Sequence, residues 1–113
     1  MLVVSEKIKT FFTAQSAFTA AMGTKIFPVF ASENTGLPFA TYMVDRVEFK
    51  SKDADQYDVT VYFWFDQNNY NAMAEFMDDI LPAIKNEFDW QGSTMDFIED
   101  SKAYVGIINF LIN

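Results

Sequence analysis

Tyr57-Asp-Val-Thr-Val-Tyr-Phe-Trp-Phe-Asp66 decides the fold. Tyr57, Val59, Val61, Phe63 and Phe65 alternate with Asp58, Thr60, Tyr62, Trp64 and Asp66. This period of two predicts a strand, because successive side chains leave a strand on opposite sides. The first set is apolar throughout and belongs to a core. The second set starts polar and becomes aromatic at Tyr62 and Trp64. A sheet built around this strand is therefore covered on one side, and its other side is not an ordinary solvated surface.

Working outward, Phe39 to Phe49 reads as a long strand. It carries Phe39, Thr41, Met43, Val47 and Phe49 on one face and Ala40, Tyr42, Val44, Arg46 and Glu48 on the other. Lys50-Ser-Lys-Asp-Ala-Asp-Gln56 joins the two strands as a polar hairpin loop. Upstream, Lys25 to Ala31 reads as a short strand. Pro28 cannot donate to a ladder, which predicts an edge or bulged strand. Ser32 to Gly36 is rich in turn residues, and Leu37-Pro38 returns the chain in extended form.

Residues 5 to 22 carry a helical pattern. Ile8, Phe11, Phe12, Gln15, Phe18 and Met22 recur at intervals of three and four, with Ser5 as N-cap and Gly23 as C-cap. Beyond the central strand, Asp66 is placed to cap a second helix. Tyr70, Met73, Met77, Ile80, Leu81, Ile84 and Phe88 make its apolar stripe. Pro82 falls inside that stripe and predicts a kink or interruption near Asp78 to Leu81. Gly92 reads as part of a turn, Thr94 to Glu99 as a strand, Asp100-Ser-Lys102 as a tight turn, and Ala103 to Ile112 as the last strand. The expectation is an α+β domain covering residues 1–113, ordered α-β-β-β-α-β-β. Its sheet is mixed but mainly antiparallel, with four to five strands and two helices packed on one face.

Composition narrows the chemistry. The 113 residues include 13 Phe and 2 Trp, half of them are hydrophobic, and none is Cys or His. A chain without Cys has no disulfide scaffold, thiolate zinc site or cysteine nucleophile; one without His has no Ser-His-Asp triad. The glycines, Gly23, Gly36, Gly92 and Gly106, are too scattered for a phosphate-cradling loop. Asp96, Glu99 and Asp100 do not fit the ligand spacing of a calcium loop and read as a solvated acidic turn. Asp45 and Asp58 are candidates to sit across neighbouring strands, without any sign of acid/base work. The expectation is a non-enzyme with no cofactor and no bound metal. The apolar run at the N-terminus stops before Ser5, and Val61 to Phe65 is of strand length, so neither a signal-peptide core nor a membrane span is expected.

The formal charge of −8 is uneven. Glu75, Asp78, Asp79, Glu87, Asp89, Asp96, Glu99 and Asp100 crowd residues 75 to 100 against Lys85 alone. Such a stretch opposes phosphate backbones. The second face of the sheet is the other candidate surface. Tyr42, Val44, Tyr62, Trp64, Tyr104, Ile108 and Phe110 share it if the registers run that way. Either the sheet curls and closes this face as an internal core, or it is an oligomer surface, since Tyr and Trp favour interfaces.

Four segments, taken in order, resemble the tail completion or tail terminator proteins of long-tailed phages and prophages. They are Gly23-Thr-Lys-Ile-Phe-Pro28 after the first helix, Leu37-Pro-Phe-Ala-Thr-Tyr42, Val59 to Trp64 with Asn69-Tyr70 and the helix through Ile84, and the closing strand Val105 to Ile112. The chain departs from the family at Pro82 and in the charge of its strand positions. The resemblance implies a structural protein in the virion tail, assembled in the bacterial host cytoplasm. It implies a homo-oligomeric ring, six-fold in this family, that caps the tail tube, ends its polymerisation and meets the head connector. Its partners would be itself, the tail tube protein and the connector, with DNA passing through the lumen unbound and no membrane involved. Interface candidates on this reading are Tyr42, Val44, Arg46, Lys50, Lys52, Asp53, Asp55, Tyr62, Trp64, Tyr104, Ile108 and Phe110. The loop from Lys50 to Asp55 would bridge to a neighbour, and Asp78, Asp79, Glu87 and Asp89 would face the lumen or a basic connector. The alternative is an acidic, immunity-type inhibitor that binds a basic partner such as a nuclease.

Overall fold

The structure, a computed structural model, describes residues 2–28, 36–48, 55–100 and 102–112, with the side chains of residues 2, 46–48 and 55 left aside. The elements are α1 (Leu2–Thr13), α2 (Ser16–Met22), β1 (Ile26–Pro28), β2 (Phe39–Glu48), β3 (Asp55–Asp66), α3 (Tyr70–Glu87), β4 (Asp89–Ile98) and β5 (Ala103–Ile112). They form an α+β architecture with one five-stranded sheet in the order β1-β2-β3-β5-β4. The sheet is mixed: β1 runs parallel to β2, and the remaining pairs are antiparallel. The expected central strand is central, and β1, with its Pro28, is an edge. The rest of the expected Lys25 to Ala31 strand, from Val29, lies outside the described residues, as does Phe49.

The first helix departs from expectation. It is two helices, because Gln15 is extended, with φ −88° and ψ 123°. The physical reason lies in the aromatic spacing. Phe12 and Phe18 are both fully buried, yet six positions apart they would diverge by roughly 120° around one unbroken helix. The break turns Phe18 back to the core, where its ring centroid lies 5.6 Å from that of Phe12. Local bonds support the break: Thr13 Oγ1 donates to the Lys9 carbonyl at 2.8 Å, and Gln15 Nε2 to that of Phe11 at 3.3 Å. Ser5 is inside α1 rather than at its cap, and its hydroxyl bonds the Tyr42 hydroxyl. Gly23 does cap α2, at φ 64°.

α3 also differs from its expected form. It runs from Tyr70 to Glu87 through Pro82 without interruption. Met73, Phe76, Met77, Ile80 and Ile84 are buried on both sides of the proline, and Pro82 itself is exposed. Packing holds the helix together where one backbone bond is missing. Asp66 ends β3 instead of capping α3. Its carboxylate accepts the Asn68 N–H at 3.0 Å and shapes the turn, while Asn69 takes the cap position without a side-chain bond.

All three helices pack on one face. Phe12, Phe18 and Phe76 surround Phe63, and Phe88 stacks on Phe110 with centroids 4.6 Å apart. Gly106 faces Met77 so closely that an added Cβ would sit 2.5 Å from the Met77 sulfur. β4 is longer than the expected Thr94 to Glu99. It begins at Asp89, and Gly92, expected in a turn, lies within the strand, where the register shifts between Trp90 and Gly92. The absence of a side chain eases such a bulge.

Candidate functional site

The register decides which candidate residues meet. Ala40 pairs with Phe63, Tyr42 with Val61 and Val44 with Val59. On the next strand Phe63 pairs with Gly106, Val61 with Ile108 and Val59 with Phe110. Tyr42, Val44, Tyr104, Ile108 and Phe110 therefore share the helix-covered face with the core of β3. Tyr42, Ile108 and Phe110 are buried. This corrects the expectation that they lie beside Tyr62 and Trp64. The reason is the relative phase of the strands. β2 and β5 are apolar on both faces, so alternation within each strand leaves its facing open, and pairing with β3 fixes it.

Tyr62 and Trp64 do lie on the open face, with partners that the sequence reading put elsewhere or did not name. Phe39 stands opposite Trp64, and Thr41 opposite Tyr62. The rings of Phe39 and Tyr62 each lie 6.4 Å from that of Trp64. The Trp64 indole N–H donates to Thr41 Oγ1 at 3.1 Å, which satisfies the polar tip of a half-buried ring. Met43, 44% exposed, and the half-buried Ile107 and Leu111 continue this face across β2 and β5. The alternation of β5 sets Ile107 and Leu111 on the face opposite Tyr104, Ile108 and Phe110.

The polar end of the same face is built around Asn109. Asp45 and Asp58 are direct cross-strand neighbours, as anticipated. Asn109 Nδ2 donates to the Asp58 carboxylate, to the Val59 carbonyl at 2.9 Å and to Thr60 Oγ1 at 3.3 Å. These bonds bridge β3 and β5.

Arg46 stands opposite Tyr57 and Asp55 opposite Glu48 in the backbone register. Lys50, Lys52 and Asp53 lie outside the described residues. The four acidic candidates divide. Asp78 and Asp79 are exposed on α3, and Asp89 starts β4. Asp78 lines a groove between α3 and β4 with Ala74, Met77, Leu81, Ser93, Thr94 and Met95. Glu87 lines a different groove, against Lys7, Thr10 and Phe11 of α1. Lys85, the cation of this stretch, sits 4.3 Å over the Trp90 ring. Among the described residues no three carboxylates converge on a point where a metal ion would bind, and no helix is long and apolar enough to cross a membrane. The arrangement leaves two exposed surfaces: an aromatic sheet face, and an acidic edge along β4.

No protein-family model matches the chain, and no curated protein matches it. Its fold is similar to that of a solved chain in the virion of a native gene transfer agent particle. The TM-score is 0.68 at 9% identity, over 90% of this chain and 87% of that one. At that identity the likeness is one of fold.

Proposed function

We propose that this chain is a structural protein of a phage or phage-like virion and that it caps the tail tube as a homo-oligomeric ring. One observation carries the reading: nearly the whole chain shares its fold with nearly the whole of a chain from a gene transfer agent virion. The order of the four sequence segments that resemble tail terminators points the same way.

On this reading the chain works through contact surfaces. The open sheet face, with Phe39, Tyr62, Trp64 and Ile107, packs on a neighbouring subunit or on the last ring of the tube. The Lys50 to Asp55 loop bridges to a neighbour. Asp78, Asp79, Glu87 and Asp89 turn toward the lumen or a basic connector. A negative lumen suits DNA passage, since like charges release no counterions on contact.

The test combines assembly with tube length. The purified chain is examined by light scattering and electron microscopy, then added to polymerising tail tube protein. Rings and tubes that stop growing support the reading. A strict monomer that leaves tube growth unchanged overturns it.

A further inference from the structure

The two edges of the sheet are unlike. Among the described residues β1 spans Ile26–Pro28, and Pro28 has no N–H to offer an incoming strand. β4 runs ten residues, from Asp89 to Ile98, and is exposed along nearly all of it. An edge of that length presents a row of backbone donors and acceptors to solvent. Beside it, the groove between α3 and β4 passes Met95 and continues to Tyr70, Met73 and Phe97. Met95 and Phe97 are 42% and 38% exposed there. Acids stand on both sides of the edge. Asp78 lines the groove, and the alternation of β4 puts Asp89 and Asp96 on the opposite face from Met95 and Phe97. Residues 87 to 100 contain Glu87, Asp89, Asp96, Glu99 and Asp100 and no basic residue.

We propose that β4 is a strand-addition site for a basic, extended segment of a protein partner. The segment pairs its backbone with β4 and sends alternate side chains into the α3–β4 groove. Charge selects this occupant. A second copy of β4 would bring the same acids against each other, whereas Lys or Arg on an added strand meets a carboxylate on either face. The Phe97 N–H donates to the Asp96 carboxylate at 2.8 Å, a local bond at this end of the edge for which an incoming cation competes. The inference stands on edge geometry and charge, and it holds or fails separately from the virion reading.

The test uses the full chain, isotope-labelled for amide spectra. The probes are a short peptide of alternating lysine and valine, the same peptide with glutamate for lysine, and lysine peptides N-methylated at alternate residues in both registers. The expected result is binding of the lysine peptide alone, with amide shifts concentrated in β4. N-methylation in one register weakens binding at least about tenfold, because strand addition requires backbone pairing. Asp89→Lys with Asp96→Lys weakens it to a similar degree. Failure of the lysine peptide to bind overturns the proposal. So do equal binding of all N-methylated forms, shifts centred away from β4, or self-association through β4 that the peptide does not compete. If the charge-reversed variant does not fold, the N-methylation comparison decides on the unaltered protein.

Discussion

At the scale of the residue, one missing side chain sets the distance between helix and sheet. Gly106 lets Met77 approach where a Cβ would meet its sulfur at 2.5 Å. Gly106→Ala should destabilise the fold by about 1–3 kcal/mol, the usual range for overpacking. Combining it with Met77→Ala should recover part of that loss, and denaturant titration of the two singles and the double reads the coupling. A second residue-scale prediction concerns Asp45, directly opposite Asp58. Like charges across a strand pair oppose each other, so Asp45→Lys should raise stability by about 0.2–1 kcal/mol at low salt. Thermal unfolding at two ionic strengths checks it, and the gain should shrink as salt rises.

At the scale of the element, the strands were the most legible part. The alternation in β3 and β5 gave their extents closely, because a period of two survives any tertiary context. Helix continuity was less legible. The pattern over residues 5 to 22 contains no proline or glycine before Gly23, and the break at Gln15 comes from where Phe12 and Phe18 must both point. Pro82 is the opposite case: a local breaker overruled by five buried side chains, four before it and one after. Proline in a helix interior is costly, so Pro82→Ala should stabilise the protein by about 1–3 kcal/mol. A midpoint that falls instead would mean the proline has a packing role of its own. Gly92 hid the first half of β4 by resembling a turn signal, when its use is to ease a bulge.

At the scale of the whole molecule, the candidate surfaces were legible in kind but not in membership. The aromatic end of β3 announced an unusual open face, and Tyr62 and Trp64 are on it. The other apolar residues assigned to it belong under the helices, because pairing between strands carries information that no single strand holds. Trp64→Ala separates two roles. Trp64 is half-buried, so the monomer should lose only about 1–2 kcal/mol, less than a full core truncation. Assembly, measured by light scattering, should be lost if the face is the subunit contact. The formal charge of −8 per chain adds a further expectation. Copies brought together repel, so raising ionic strength should favour assembly as the Debye length falls from about 10 Å at 0.1 M to about 3 Å at 1 M.

The inequality of the two sheet edges has a consequence for growth. A link in an open chain of strands must accept a neighbour on one side and offer itself on the other. Among the described residues this molecule has a receptive margin at β4 and, at β1, only Ile26–Pro28. Charge opposes the pairing of β4 with a second β4, and among the described residues β1 offers only Ile26–Pro28 to a strand beyond it. A charged edge at β4 and a proline at β1 both work against fibrous aggregation in a sequence that is half hydrophobic.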